Sequence, residues 1–526
     1  VNFLVHHLLR ASAQQYARHE ALVHGEQRLS YAELWRRVSH LGHGLREAGV
    51  SRGDRIGVLL DPSVALATSL LGVSASSGVF VPIHHGLFAE QVEHIVRDCG
   101  MRGLILDAGR FSKLQPVLEG CPSLKFAVVV GAPAEQSTRL ARHDFDTLCD
   151  GSAATPRDLA IDQDLAAILY TSGSTGKPKG VMLSHANLLA GAEIVADYLQ
   201  ITHDDRTLAV LPFSFDAGLN QLMTALYAGG TCVLIKFLFA KEIVAALAKE
   251  RITGLAGVPS LWNLLAQDSS KLRDTPLEQL RYITNTGGAL PLTVLARLRE
   301  ALPQTDVVLM YGLTEAFRST YLPPEELDRR PTSMGKAIPN TEIFVVDEAG
   351  RQCGPGEVGE LVHRGPTVSL GYWGHPELTA QVLRPDPFAP PQLSQPDIVC
   401  YSGDLVKTDE EGYLYFVGRR DNQIKSAGFR ISPNEVEAAL NSHASVREAA
   451  VIGLPDEVLG EHIKALVVAQ NEVVVDTDAL LEHVAEHLPR HMVPREVEVL
   501  DELPKTSSGK IDYPLLRRRE TERLTP

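Results

Sequence analysis

The chain has 526 residues, enough for two to four domains. Its 44% hydrophobic and 22% charged residues are those of an ordinary globular protein. A formal charge of −15 without a basic block excludes a general nucleic-acid binder, and Arg517-Arg518-Arg519 reads as a solvated helix face.

In chain order, His6, His7 and Arg10 surround a very short apolar patch, so no signal peptide is expected. Ser30-Tyr31-Ala32-Glu33 is a capping box. Leu34, Val38, Leu41 and Leu45 follow at helical spacing, and Gly49 ends the element. Ile56–Leu60 is a short strand. Pro62–Ile83 carries no charge and is long enough to raise the question of a membrane span. Its serines, threonines, Gly72 and Pro82 read instead as a buried helix, a turn at Ser76-Ser77-Gly78 and a strand Val79–Ile83, with no membrane span. A helix near Ala89–Asp98 and strands Leu104–Leu106 and Phe126–Val130 come next, then a loop Gly151–Pro156.

An apolar run, Leu165–Tyr170, leads into Thr171-Ser172-Gly173-Ser174-Thr175-Gly176-Lys177-Pro178-Lys179-Gly180. Glycines let backbone N–H groups turn around an anion, hydroxyls add donors and lysines add charge, so this reads as a polyphosphate loop at a strand end. It is not a Walker loop: two residues rather than four separate Gly173 from Gly176, and Pro178 follows Lys177. Ser184 is positioned to cap a helix running to Leu199.

Alternation then resumes with strand Thr207–Leu211, helix Ala217–Tyr227, strand Cys232–Ile235 and a helix near Ala240–Lys249. Strand Tyr282–Asn285, helix Leu292–Ala301 and strand Val307–Met310 complete it. Such alternation implies parallel sheets covered by helices, with ligands at the carboxyl ends of strands. From Ile343 to Val417 short runs separated by glycine-rich turns suggest an antiparallel β region, and Pro385–Pro396 reads as an exposed loop. Gly354–Gly359 fits GxGxxG, but no strand leads directly in and no helix follows, so it is a turn. Ser432-Pro433-Asn434-Glu435 is a second capping box, followed by strands Ala449–Ile452 and Ala465–Ala469 and a helix from Asp476 to His487. That helix holds a formal HxxEH match, His483–His487, which reads as a polar helix face rather than a metallopeptidase site. The fold class expected is α/β. Residues 1–420 are expected to form a large N-terminal domain of helix-covered, mostly parallel sheets plus a β region, and residues 421–526 a small C-terminal α+β domain. Six scattered cysteines without a CxxC suit a reducing cytoplasmic location.

The phosphate loop resembles the signature of the adenylate-forming superfamily of acyl-CoA synthetases, amino-acid-activating domains and luciferases. Five further stretches match it in order: ITNTGGAL at 283–290, LMYGLTEAFRST at 309–320, YSGDL at 401–405, GRRDNQIKSAGFRI at 418–431 and LPKTSSGKI at 503–511. Around Tyr311–Asn340 the chain is most similar to acyl-CoA ligases found with bacterial exosortase systems. The resemblance implies a ligase that uses ATP and Mg²⁺ to turn a carboxylic acid into an acyl-adenylate, then passes it to coenzyme A or to a carrier protein's phosphopantetheine. It places Thr171, Ser172, Gly173, Ser174, Thr175, Gly176 and Lys179 around the phosphates and Glu315 on the metal. It sets Thr314 at the phosphate, Gly287, Gly288, Ala289, Tyr311 and Gly312 at adenine, and Asp404 and Arg419 at ribose. Lys510 would bridge the carboxylate and α-phosphate, and Arg430 would contact ATP. Asp421 matches the hinge and Gly428 the glycine beside the thiol tunnel, consistent with a domain that swings between half-reactions. For Asp404 the alternative is a turn residue, and for Lys510 a solvated tail lysine.

The identity of the acid stays open. Phe213-Ser214-Phe215-Asp216-Ala217-Gly218 matches the segment that begins the acid pocket, where in amino-acid-activating domains an aspartate at the position of Asp216 pairs with the substrate ammonium. The alternative is that Asp216 N-caps the helix from Ala217. Arg318 either meets a polar substrate tail or pairs within the protein. Amino acid–carrier protein ligation is therefore the second reading, and a luciferase-like oxygenase or a nucleotide sensor are more distant ones.

Overall fold

The computed structural model describes residues 2–131, 139–151, 157–171, 178–420, 424–426, 429–456, 460–470, 473–506 and 509–524. In the two large sheets, strands pair as the sequence period suggests, parallel wherever an α-helix joins neighbours. In one sheet the strands Ala141–Asp144, Phe126–Val130, Gly103–Asp107, Arg55–Leu59, Val79–Pro82 and Leu165–Thr171 lie side by side and parallel. In a second, Asp306–Tyr311, Tyr282–Asn285, Gly254–Gly257, Arg206–Ala209, Thr231–Leu234 and Glu20–His24 do the same. Both sheets are buried by helices, as all-parallel strands require. The uncharged segment is the helix Val64–Ala75, capped by Ser63 and buried between the sheets' helices, followed by the strand Val79–Pro82. No described helix is long and apolar enough to cross a membrane.

The capping box at Ser30 forms as its residues predict: Ser30 accepts from the Glu33 amide and Glu33 returns to the Ser30 amide. At Ser432 the sequence expectation fails. The helix Pro433–Asn441 starts there, but the hydroxyl donates to the Val417 carbonyl instead of capping. It thereby fastens this helix to the end of the preceding strand, Leu414–Arg419.

The β region is an antiparallel sheet of Glu342–Val346, Gly359–Arg364, Leu383–Pro385, Ile398–Thr408 and Leu414–Arg419, and residues 354–358 form the turn between its first two strands. The C-terminal unit is an α+β layer. The long hairpin Val446–Asp456 with Gly460–Ala469 carries Glu496–Leu500 in parallel on its edge. Helices Pro433–Asn441, Thr477–His487 and Tyr513–Leu524 flank this sheet. His483, Glu486 and His487 sit on the solvent side of the second of these.

Candidate active site

The carboxyl ends of strands from both parallel sheets converge on one crevice, and the chemistry-bearing residues sit there. Thr171 ends its strand and Lys179 opens the antiparallel partner Lys179–Ser184, a strand the sequence pattern did not disclose. The two residues face each other across the neck of the loop. Ser172, Gly173, Ser174, Thr175 and Gly176 lie outside the described residues, as do Asp421 and Gly428.

The segment Leu370–Trp373 runs along the free edge of Lys179–Ser184. Its backbone exchanges hydrogen bonds with Met182 at 2.8 and 2.9 Å and with Gly180 at 2.8 Å. This sets Tyr372 beneath the loop neck, with Lys179 Nζ 5.7 Å from its ring centre. The Tyr372 hydroxyl donates to Glu315 Oε1 at 2.6 Å. Burial and the Glu315 carboxylate together push this phenol's pKa up, so it stays a donor. Sequence reasoning missed Tyr372; its one signal is an aromatic pair bracketed by Gly371 and Gly374. Thr314 is buried beside Glu315.

Tyr311 ends its strand and donates its hydroxyl to Asp404. Asp404, buried on the strand Ile398–Thr408, is in register with Arg419 of the next strand, whose Nη1 lies 3.2 Å from its Oδ1. Burial first, and the Asp404 carboxylate second, hold the Tyr311 hydroxyl well above its ordinary range. His363 lies nearly parallel to the Tyr311 ring at 6.1 Å. Tyr311, Asp404 and Arg419, distant in sequence, thus form one network. Gly312 packs against the backbone of Arg318: a Cβ there would lie 3.2 Å from the Arg318 Cα.

Lys510 reaches the crevice from the C-terminal unit. Lys505 and Ile511 pair across a tight turn in which the Thr506 amide donates to the Lys510 carbonyl at 2.7 Å. Gly509, with φ +82°, lies against Ser260 and Val258 of the large domain. Lys510 Nζ comes to 5.7 Å from the centre of the Phe215 ring, and its Cε lies 3.1 Å from where a Gly287 Cβ would stand. Gly287 has φ +80°, so glycine is required there for the backbone as well as for the lysine. Gly288 and Ala289 complete this turn at the surface, held by the Asn285 amide to the Gly288 carbonyl at 2.9 Å. Behind Lys510, Tyr513 donates to Glu437 Oε1 at 2.8 Å, and the Val451 amide donates to the same oxygen at 2.8 Å. Burial pushes the Glu437 carboxyl up to about 7. Arg430 belongs to the strand Phe429–Ile431, in register with Lys425.

The acid end begins at Phe215. The helix runs Asp216–Ala228 with Phe215 at its N-cap position and no side-chain cap, so Asp216 is the first helical residue and the capping reading is corrected. Its carboxylate instead accepts from Arg318 Nη1 at 3.1 Å, and both side chains are about 5% exposed. The same Nη1 donates to the Phe317 carbonyl at 2.9 Å. Phe317 holds φ +45°, an unusual conformation for a bulky residue, and this turn delivers Arg318 to the aspartate.

Comparison with known proteins places the chain in a family. A family model described as AMP-binding enzyme matches residues 9–373, and one for the AMP-binding enzyme C-terminal domain matches residues 435–510. The chain is 34% identical to a feruloyl-CoA synthase of Amycolatopsis sp over 95% of each protein. It is 30% identical to tyrocidine synthase 3 of Brevibacillus parabrevis over 97% of this chain and 8% of that one. Among solved structures, an anthranilate CoA ligase in complex with anthranoyl-AMP superposes with TM-score 0.89 at 26% identity, covering 99% of this chain and 98% of that one.

Proposed function

The chain belongs to the AMP-binding enzyme family and is an acid–thiol ligase acting through an acyl-adenylate, and from that premise we propose how its crevice divides the work. An acid carboxylate attacks the α-phosphate of ATP and pyrophosphate leaves. Both reactants are anions, so the protein's task is positioning and neutralisation. Lys510 lies between the acid end at Phe215 and the nucleotide turn at Gly287, where one cation can touch both the carboxylate and the α-phosphate. That placement, from a separate folding unit, is the observation that carries the reading.

Asp404 accepts from the ribose hydroxyls with Arg419 balancing its charge, and Tyr311, Gly287, Gly288, Ala289 and Gly312 shape the adenine side. Thr171, Lys179 and Thr314 serve the phosphates, with Ser172, Gly173, Ser174, Thr175 and Gly176 from the loop itself. Arg430 contacts ATP, Asp421 acts as hinge and Gly428 leaves room for the thiol arm, each on the strength of its motif. Glu315 fits Mg²⁺: it is a hard carboxylate at the phosphate side, oriented by Tyr372 through one oxygen. The bound ion would draw charge from the phosphate oxygens; Glu315 and Tyr372 would hold it in place. In the second half-reaction the thiol attacks the acyl carbonyl, AMP leaves and the thiol proton passes to solvent.

The proposed acceptor is coenzyme A. The chain matches a stand-alone CoA ligase along its length, whereas its match to a peptide synthetase covers a small fraction of that protein. The proposed location is the cytoplasm, where its free cysteines stay reduced. The test follows AMP, pyrophosphate and thioester together, with coenzyme A or with a holo carrier protein. Equal yields of all three with coenzyme A are expected. Thioester on the carrier alone would replace coenzyme A as acceptor, and pyrophosphate without thioester on either would remove the thiol step.

A further inference from the structure

At the acid end the fold leaves polar groups unpaired beside a closed ion pair. Arg318 spends Nη1 on Asp216 and Phe317, yet its Nε is buried with no partner among the described residues. Asn220 lies one helical turn beyond Asp216, so the two share a helix side, and its Oδ1 is buried and unpaired. Ser319, the next residue after Arg318, is fully buried with its hydroxyl likewise unpaired. Buried polar atoms normally find partners, and three such atoms, on the ion pair's own arginine, on the next residue and one helical turn from its aspartate, mark a place where a ligand completes the set.

Charge narrows what that ligand is. Asp216 and Arg318 cancel each other in a buried setting. A substrate ammonium would bury a net positive charge there, and a second carboxylate a net negative one; either is costly without a further partner. An uncharged hydroxyl adds no charge, accepts from Arg318 Nε–H and donates to Asn220 Oδ1. Phe215, the residue before Asp216, lies beneath Lys510 and suits an apolar body.

Resting on the acid–thiol ligase reading, we propose that the acid activated here has no α-ammonium and carries an uncharged hydroxyl in its tail, read by Arg318, Asn220 and Ser319. Its carboxylate lies toward Lys510, and its tail passes Phe215 toward the Asp216–Arg318 pair.

The experiment measures pyrophosphate release with matched acids: cinnamate, benzoate and octanoate, their ring- or chain-hydroxylated counterparts, phenylalanine, tyrosine and short dicarboxylates. A hydroxylated member should exceed its parent in kcat/KM by about tenfold or more, since a site built to bind a hydroxyl rejects the analogue lacking it. Arg318→Met and, without disturbing the ion pair, Asn220→Leu and Ser319→Ala should each pull that ratio toward one. A ratio near one in the wild type means that water alone fills the orphan groups and overturns the proposal. So does a preference for the amino acids or dicarboxylates, or a ratio untouched by all three substitutions. Release with no acid in the panel overturns the ligase reading itself and this one with it; release without a hydroxyl preference overturns only this one.

Discussion

The nucleotide half and the acid half of the crevice are built from similar residues but finished differently. On the nucleotide side the charged groups are partnered within the protein: Asp404 with Tyr311 and Arg419, Glu315 with Tyr372. On the acid side an ion pair is closed but its neighbours are left open. A preformed network suits a ligand common to every turnover, because orientation is settled before binding. Unpaired groups suit a ligand that must itself be discriminated, because the wrong one leaves them unsatisfied.

The sharpest way to break this comparison is to remove Lys510, the group proposed to serve both halves. Lys510→Ala should slow adenylation by roughly 10²–10³, as expected for losing a transition-state donor. The loss should be the same for every acid, and thioester formation from pre-made adenylate should persist. An acid-dependent loss would move Lys510 wholly to the acid side.

Glu437 lies outside both halves and reports on the support beneath Lys510. Its folded pKa, about 7, is raised above the ordinary carboxyl value. Its stabilising contribution is therefore fully present below about pH 4.3, the unfolded value, and is lost as pH rises through about 7. The difference is on the order of 3 kcal/mol. Glu437→Gln should flatten the stability of the C-terminal unit across that window and raise it at pH 8, read by denaturant melts at several pH values. A steeper pH dependence in the variant would show that Glu437 is not the titrating group.

Asp404→Asn keeps an acceptor but loses the charge facing Arg419. We expect the KM for ATP to rise about tenfold, the difference between a charged and a neutral hydrogen bond, with preference among acids unchanged. A shift in acid preference would mean the two halves are coupled. The smallest effect is expected of Tyr372→Phe, which leaves Glu315 in place without its donor. A fall of a few-fold in adenylation, eased by higher magnesium, is expected at a cost of about 0.5–1 kcal/mol. No response to magnesium would separate Tyr372 from metal binding.

How much of this was legible in the sequence follows the same divide. Parallel strands, the helix Val64–Ala75 and the capping box at Ser30 were readable because hydrophobic period and local hydrogen bonding decide them. For the nucleotide half, phosphate and ribose chemistry admits few residue types in few orders, and the structure brings Tyr311, Asp404 and Arg419 of those motifs into one network. Tyr372 was not: its role comes from an edge pairing with Lys179–Ser184, and that strand is too short and too close to the loop for its period to stand out. The partner of Asp216 was not readable either. Its two candidates there, an ammonium or a helix cap, were both local guesses, and the arginine that claims it arrives from 102 residues away. Ser432 shows the same limit, since a capping sequence gave way to a tertiary acceptor at Val417.

The place where Lys510 meets the large domain is edged by Gly509 on one side and Gly287 on the other. Neither has a side chain to interlock, and both hold left-handed backbone conformations that set the two turns close together. In the proposed swing between half-reactions the lysine turn would serve as a latch rather than a rivet, with no side chain of either glycine in its way.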